Sequence, residues 1–440
     1  MGGEILVGLI HFRGSTNSSF SAKRSGMRTL VCLSVFFLAA ISAHAIPNSF
    51  FSNGTSAFPV IPAFPRFNAE LTEEFLLEKN WKDGELPGPW EEEASLDGAV
   101  TQRMSANPVL FGEVPMTVLA YSDGSGVDEI AIHFLDAGMY FGYRFGGEKT
   151  KDERADGRDR RAEFSRHYKR IADDVRDRLE DGCGRGKEGA MGRTAALRTV
   201  YTDYQWEDFT LRFVEREDHS VSLHILKKSE ASRGLTDPKW NLMNRREREA
   251  LFETNVRIAE NGDRVVSGIP MFTQGTTPFC GVHSLAMVGQ YLGLRARPEA
   301  LAAAADFKNT GSAKGSDLVD LHRAVGAELD MDVSIAPDFK LNRVERSIQQ
   351  GLPVIVWRRV SAEREKGRNG VALALTEDEL AALPDKSERG SPSHASIVTG
   401  FNADRGEVIF TEPWGEGSRD RRMTLEEMEA TAYAVFFFKL

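Results

Sequence analysis

The stretch that decides the fold reads QGTTPFCGVHSL, residues 274–285. Leu285, Val288 and Leu292 recur at helical spacing, which predicts a helix that begins near Cys280. A thiol at a helix N-terminus lies at the positive end of the helix dipole, and this position favours the thiolate. The stretch therefore predicts a reactive cysteine, although a cysteine taken alone is more often a plain buried residue.

Gln274 lies six residues before Cys280. At that spacing its side-chain amide could donate a hydrogen bond to an oxyanion beside the backbone amide of Cys280. A nucleophilic cysteine also needs a base, and that base needs an acceptor that orients it. His394 begins one strand-like run and Glu412 closes the next. Two adjacent antiparallel strands would place His394 and Glu412 side by side, where the carboxylate would hold the imidazole tautomer.

In this order and at these spacings, the motifs resemble those of the bacteriocin-processing papain-like cysteine peptidases, the family that acts on double-glycine leaders. The resemblance covers residues 265–440 and includes the run Glu412-Pro413-Trp414-Gly415 after the second strand. It implies a papain-like α+β fold, in which a helical half packs beside an antiparallel sheet half. It also implies a hydrolase that cleaves a peptide or protein substrate through an acyl-enzyme.

The same resemblance implies Cys280 as the nucleophile, His394 as the base and Gln274 as the oxyanion donor. The family usually has Asp before Pro-Trp, whereas this chain has Glu412. The extra methylene of Glu412 demands a different rotamer or a slightly retracted backbone. Asp404, in the turn between the two strands, is a second candidate for the acceptor that orients His394.

The polar segment 361–393 precedes His394 and is a second departure from the family pattern. It either overhangs the cleft and restricts the substrates or forms a solvated loop. The resemblance further implies that Trp414 packs over the active-site histidine. Two other functions stay open: an inactive binding module on a papain-like scaffold, and a transglutaminase-like enzyme that transfers the acyl group to an amine.

Residues 100–240 predict a separate, small α+β domain with an antiparallel sheet. Apolar and polar residues alternate around residues 116–134 and again around 209–225, each time with a polar turn in the middle, which predicts two β-hairpins. Between them, apolar residues recur at helical spacing over residues 164–179. Charges of both signs fill the other positions, so we expect an amphipathic helix with a solvated face.

The start of the chain predicts a secretory signal peptide over residues 1–45, with Met27 as an alternative start. Positive charges precede an apolar run at residues 30–41, and a small-x-small cleavage motif follows at 43–45. The pattern indicates export to the periplasm or the cell exterior, and an uncleaved membrane anchor is the other interpretation. Residues 46–99, proline-rich near their start, predict a linker or extended arm.

Composition argues against several partners and cofactors. The formal net charge is -10, which disfavours a nucleic-acid partner because phosphate binding needs a basic face. The 3 cysteines include no CxxC pair and no zinc-type Cys/His cluster, so neither a metal nor a cofactor is expected. No second apolar stretch of bilayer length follows the first, so the mature chain should have no stable membrane span. A nucleophilic thiol must stay unpaired, which argues against a Cys183–Cys280 disulfide.

Overall fold

The computed structural model of the chain describes the larger part of residues 90–440. The predicted signal peptide (1–45) and most of the predicted linker (46–99) lie outside the described residues. Within the described part, no helix has both the length and the apolar character that crossing a membrane requires. The described ranges are 90–96, 99–104, 108–122, 127–141, 151–206, 209–228, 231–232, 234–275, 277, 279–305, 315–360, 362–365, 372–383, 386–387 and 393–440.

The N-terminal part contains one antiparallel sheet with strand order β1-β2-β3-β4-β8-β7-β6-β5. Its strands are β1 (Trp90–Leu96), β2 (Ala99–Met104), β3 (Thr117–Ser122), β4 (Val127–Asp136), β5 (Lys187–Met191), β6 (Thr199–Trp206), β7 (Phe209–Arg216) and β8 (Ser220–Lys227). The two predicted hairpins are confirmed as β3–β4 and β7–β8. Because β4 also pairs with β8, they belong to one large sheet rather than a small one. Strand β1 lies inside the segment 46–99, so the end of that segment is a strand.

Two helices accompany this sheet, α1 (Ala137–Phe141) and α2 (Lys151–Cys183). Helix α2 contains the predicted amphipathic stretch 164–179. Because side chains alternate along a strand, the sheet has one apolar face and one mixed face, where buried polar groups lie beside the apolar residues Leu119, Tyr121 and Ala131. The apolar face and α2 share a core that includes Ile130, Ile132, Phe134, Phe164, Ile171, Leu211 and Leu223. The mixed face turns towards the C-terminal part of the chain.

The C-terminal part and the segment that leads into it contain nine described helices and eight strands. The helices are α3 (Pro238–Leu242), α4 (Arg245–Thr254), α5 (Cys280–Tyr291), α6 (Pro298–Ala304), α7 (Gly315–Glu328), α8 (Leu341–Gln349), α9 (Ala362–Glu365), α10 (Glu377–Ala381) and α11 (Leu425–Thr431). The strands are β9 (Val256–Ile258), β10 (Arg264–Val266), β11 (Asp332–Ala336), β12 (Val354–Arg359), β13 (Ser393–Asn402), β14 (Glu407–Thr411), β15 (Arg421–Thr424) and β16 (Ala432–Lys439).

These eight strands form a second antiparallel sheet of order β11-β16-β12-β13-β10-β9, with β14 paired to β13 and β15 paired to β14. Strand β13 is central, and all of its residues are buried. The helices α5, α6 and α7 pack together beside this sheet and share its hydrophobic core. The predicted fold class, an α+β fold with a helical half and an antiparallel sheet half, is confirmed.

Helix α5 is the centre of the helical half. Residues 280–289 are all buried, as expected for a helix that is apolar on nearly every side. The helix packs on β13, where Ser284 Oγ donates a hydrogen bond of 3.1 Å to the carbonyl oxygen of Ala395. Gly293, with a φ of 98°, follows the last turn and lets the chain leave the helix. This packing fixes the first residue of α5 beside the start of β13.

The N-terminal and C-terminal parts are in contact next to α5. A Cβ built on Gly138 would lie 2.1 Å from the ring of Phe279, so the residue before Cys280 packs directly on α1. At a second contact, the carboxylate of Glu328 accepts hydrogen bonds from the backbone amides of Arg193 (2.7 Å) and Thr194 (3.1 Å). The N-terminal sheet domain therefore rests on the helical half of the C-terminal domain.

The turn after α8 provides a test of the backbone packing. Gly351 has a φ of 71°, and a Cβ built there would lie 2.0 Å from the carbonyl oxygen of Phe252. We expect Gly351→Ala to lower the free energy of unfolding by about 3 kcal/mol, because backbone strain and overpacking add. Gly406→Ala is the matched control, since Gly406 has a φ of 61° but no atom within 4 Å of a built Cβ. Its loss should be about 1 kcal/mol in denaturant unfolding, and equal losses would rule out the clash.

Candidate active site

Cys280 is the first residue of α5, and its side chain is buried. The backbone amides of Gly281 and Ala395 hydrogen-bond the sulfur. The sulfur also contacts the ring of His394 through a hydrogen bond. The prediction that a helix begins near Cys280 is confirmed, and the helix N-terminus points its free amides at the thiol.

His394 and Glu412 meet at one end of the β13–β14 pair. His394 is the second residue of β13, and Glu412 directly follows β14, whose Thr411 lies opposite Ile397. The Nε2 atom of His394 lies 2.7 Å from Glu412 Oε2. This leaves Nδ1 as the ring nitrogen that can face Cys280. The structure thus brings three of the four predicted site residues into one chain of contacts.

The three groups change one another's acidity. Burial alone would raise the pKa of the Cys280 thiol, but the charge and the hydrogen bond of His394 outweigh burial and lower it. Burial alone would lower the pKa of His394, but the charges of Glu412 and Cys280 raise it to about 9. Both shifts favour a thiolate–imidazolium pair at neutral pH, which is the nucleophilic form of such a pair.

Glu412 is fully buried, and both of its carboxylate oxygens are engaged. Oε2 faces His394, while Oε1 accepts hydrogen bonds from Arg358 (2.7 Å) and from Ser396 Oγ (2.8 Å). Burial would raise the pKa of Glu412, but His394, Arg358 and Arg421 lower it overall. The carboxylate is therefore ionised and held in one orientation. Asp404, the other candidate acceptor, is exposed in the turn after β13.

A second buried carboxylate, that of Glu365, also pairs with Arg358. Glu365 accepts two hydrogen bonds from Arg358, of 2.8 and 3.2 Å, and one from Arg421 of 3.1 Å. Arg358 also donates from Nε to Ser396 Oγ at 2.9 Å. Negative and positive groups thus alternate from Glu412 through Arg358 to Glu365 and Arg421. A buried charge needs such compensation to remain ionised.

Sequence reasoning missed Arg358, Ser396 and Glu365. The available signal was an arginine at the end of the apolar strand β12, since a charge in such a strand needs a buried partner. Glu365 lies in the polar segment 361–393, so the first turn of that segment is anchored at the active site. Further along the segment, α10 has no buried residue. The described parts of the segment therefore include both an anchored turn and a solvated helix.

Gln274 is buried near the site, but its side chain hydrogen-bonds a residue other than Cys280, His394 or Glu412. Its side-chain Nε2 donates to the carbonyl of Thr277 at 2.7 Å, and its backbone amide donates to the carbonyl of Pro413 at 2.8 Å. Among the described residues, Gln274 makes no hydrogen bond to Cys280, His394 or Glu412. Its Oε1 atom is buried without a hydrogen-bond partner. Its role as an oxyanion donor stays a prediction.

An aromatic ring borders His394, and a second histidine follows Cys280 on α5. The ring of Trp414 packs against His394 with centroids 4.8 Å apart and an interplanar angle of 34°. His283, one turn after Cys280, places Nδ1 3.0 Å from the carbonyl of Phe279. In the part of the chain that the structure describes, no group of three or more His, Cys, Asp or Glu could hold a metal ion. Cys183 and Cys280 are both free cysteines.

Comparison with known proteins finds a family that matches the C-terminal part of the chain. Residues 266–437 match the model of the Peptidase_C39 like family. The C-terminal part of the chain is therefore a C39-like peptidase domain, as the sequence motifs predicted. No curated protein matches the chain.

Two solved structures are similar to part of this chain. One is a protein from Bacillus anthracis assigned to the C39-like peptidases, with 19% identity over 40% of this chain and 97% of that chain, and a TM-score of 0.29. The other is the peptidase domain of Streptococcus ComA, a bifunctional ABC transporter involved in a quorum-sensing pathway. It has 14% identity over 38% of this chain and 96% of that chain, and a TM-score of 0.26.

The two described cysteines allow an internal comparison of thiol reactivity. Burial raises the pKa of Cys183, whereas His394 lowers that of Cys280. At about pH 6 we expect iodoacetamide to alkylate Cys280 at least about 100-fold faster than Cys183 in the folded protein, measured by mass spectrometry of the two peptides. His394→Ala should remove most of the difference. Equal rates in the wild type would contradict a thiolate–imidazolium pair.

Proposed function

We propose that the chain is a cysteine peptidase that cleaves peptide bonds through an acyl-enzyme on Cys280. The observation that carries the proposal is the contact chain from the Cys280 thiol through His394 to the buried Glu412 carboxylate. A lowered thiol pKa beside a raised imidazole pKa is the arrangement that a nucleophile and its general acid require. The match to a peptidase family supports a peptide or protein as the substrate.

In the proposed reaction the Cys280 thiolate attacks the scissile carbonyl carbon, and the carbonyl oxygen becomes an oxyanion. The His394 imidazolium then gives its proton to the leaving amine as the C–N bond breaks. Neutral His394 next takes a proton from water, which attacks the thioester and releases the acid and the thiolate. Glu412 stays ionised throughout and stabilises the imidazolium.

The oxyanion would be held by the backbone amide of Cys280 and the side chain of Gln274. The amide group of Gln274 carries two hydrogens, and Thr277 takes one of them. The second hydrogen remains available to a substrate oxygen. The hydrogen bond from the backbone amide of Gln274 to the carbonyl of Pro413 holds the loop of Gln274 beside the segment that contains Glu412.

Two alternatives differ from this proposal in chemistry. The lowered pKa of Cys280 favours an active centre over an inactive binding module, because a module would have no need of a thiolate. Transfer of the acyl group to an amine would use the same acyl-enzyme, so the products must separate transfer from hydrolysis. Export to the periplasm or cell exterior is also part of the proposal, and it rests on the signal pattern of residues 1–45.

A peptide library provides the direct test of hydrolysis. We expect the wild type to generate new peptide termini, read by mass spectrometry, and Cys280→Ala to generate none while it keeps the same unfolding transition. Cys183→Ala is the matched control and should cleave like the wild type. Addition of a primary amine would give amide products if the enzyme transfers the acyl group. Undiminished cleavage by Cys280→Ala would exclude the proposal.

This chain has Glu at position 412, where the family usually has Asp, and this difference provides a second test of the proposal. Glu412→Asp shortens the carboxylate by one methylene, so it can no longer reach His394 and the Arg358–Ser396 pair together. We expect kcat/KM to fall about tenfold or more. The wild-type activity should decline above a pH of about 9, where His394 loses its proton. Because Glu412 raises the pKa of His394, the variant should lose activity at a lower pH.

The same substitution at an exposed position is the control for this experiment. Glu416→Asp changes a side chain that is 46% exposed and pairs with Arg419, and its pH profile should match the wild type. A wild-type profile for Glu412→Asp would show that the length of this side chain is unimportant.

A further inference from the structure

The residue directly before Cys280 is an unusual residue for the start of a helix. Phe279 is the N-cap of α5. Ser, Thr, Asp and Asn are preferred at this position, because their side chains accept a hydrogen bond from a free amide of the first turn. A phenylalanine ring cannot accept this hydrogen bond, and the ring of Phe279 is instead buried, with 2% of the residue exposed. The place where α5 begins is therefore fixed by packing of this ring.

The packing partner of the ring belongs to the N-terminal domain. A Cβ built on Gly138 of α1 would lie 2.1 Å from two atoms of the Phe279 ring. A residue without a side chain is therefore needed at position 138 for the ring to approach the backbone of α1 so closely. The ring also lies near that of His283, one turn further along α5, with centroids 6.4 Å apart and an interplanar angle of 25°. Phe279 thus joins α1 to the first turn of α5.

Helix α1 is itself held firmly at the end of the N-terminal sheet. Asp136, the last residue of β4, accepts a hydrogen bond of 2.9 Å from the backbone amide of Met139, in the manner of a helix cap. The backbone amide of Ala137 donates a hydrogen bond of 2.8 Å to the carbonyl of His219, which directly precedes β8. A shift of α1 would break these hydrogen bonds, so α1 is a rigid support for Phe279.

A second strand of the N-terminal domain also acts on the first turn of α5. Burial lowers the pKa of His283, the charge of Glu299 on α6 opposes this change, and the charge of Arg103 on β2 adds to it. The N-terminal domain therefore influences this turn from β2 as well as from α1.

The first turn of α5 carries the group on which the candidate site depends. The carbonyl of Phe279 accepts a hydrogen bond of 2.8 Å from the backbone amide of His283, so a movement of Phe279 moves the whole turn. Cys280 lies in this turn, and its thiol is hydrogen-bonded to His394 on the opposite half of the domain. Because a hydrogen bond weakens with distance and with misalignment, a shift of the turn away from β13 would weaken this contact.

We propose that the N-terminal domain positions the candidate nucleophile, and that Gly138 does so by holding Phe279 at the start of α5. Gly138 acts through Phe279, so it is a positioning residue and not a catalytic one. The inference rests on the proposed function in one respect, namely that Cys280 is the reactive thiol. It gives the N-terminal domain a part in the reactivity of a group in the other domain.

The substitution Gly138→Ala tests the proposal in the full chain, because it adds a methyl group where the ring of Phe279 lies. We expect the start of α5 to move away from His394 and the pKa of the Cys280 thiol to rise. Alkylation of Cys280 by iodoacetamide at about pH 6, measured by mass spectrometry, should slow about tenfold or more, and the midpoint of its pH profile should move to higher pH. Peptide cleavage should lose kcat while KM stays close to the wild-type value.

Two controls separate displacement from unfolding. Cys183 of the same variant should react at its wild-type rate, whereas unfolding would expose this thiol and speed its alkylation. Gly182→Ala is the matched substitution, since Gly182 lies on α2 and has no atom within 4 Å of a built Cβ. Its Cys280 should react at the wild-type rate. Wild-type reactivity of Cys280 in Gly138→Ala would show that α1 yields instead of Phe279, and it would overturn the proposal.

Substitution of Phe279 shows whether the effect passes through this ring. Phe279→Leu alone loosens the contact without a clash, so it keeps the test valid even if Gly138→Ala does not fold, and it should slow alkylation of Cys280 about threefold. Phe279→Leu combined with Gly138→Ala nearly conserves the total volume and should return the rate to within about twofold of the wild type. Failure of this rescue, or an unchanged rate in Phe279→Leu, would contradict the proposal. Alkylation needs no substrate, so an absence of peptide cleavage by the wild type would count against the proposed function and not against this positioning role.

Discussion

The buried carboxylate of Glu412 is the constraint on which the candidate active site depends. One of its oxygens is 2.7 Å from His394 and the other is 2.7 Å from Arg358, so its position is fixed from two sides. Because this negative charge raises the pKa of His394, the ring can hold a proton beside Cys280. The lowered pKa of the thiol at the start of α5 therefore depends on a group that does not touch it.

A fully buried carboxylate must itself be compensated. Arg358 provides the compensating charge, and it in turn is balanced by Glu365, which also binds Arg421. Removal of one member of such a buried network costs about 3–5 kcal/mol, because its partner is left charged in a dry environment. This explains why the first turn of the segment 361–393 is anchored: it supplies Glu365. The network also explains the longer side chain at position 412, since a glutamate can reach Arg358 and His394 together.

The N-terminal domain also contains charged residues that are paired within the protein. Its sheet packs an apolar face on α2 and turns a mixed face towards the C-terminal domain, where Glu129 pairs with His224 and Arg212 pairs with Asp203. Next to this face, Gly138 contacts Phe279, which is the residue directly before the candidate nucleophile Cys280. The two domains are therefore joined by a surface of mixed polarity that lies close to α5.

The sequence by itself determined the features that depend on local periodicity and chain order: the helix that begins at Cys280, the strand that carries His394, the strand that leads into Glu412, and the two hairpins of the N-terminal domain. These patterns repeat every two residues in strands or every three to four in helices, so neighbouring residues suffice to reveal them. Strand β1 was not predicted, because Glu92 interrupts the apolar alternation of its short run WEEEASL. Only the tertiary structure decided that β4 pairs with β8, that Arg358 lies opposite His394, and that Glu365 closes the charge network. These relations join residues far apart in the chain, and they are set by strand register and by which buried charges find partners.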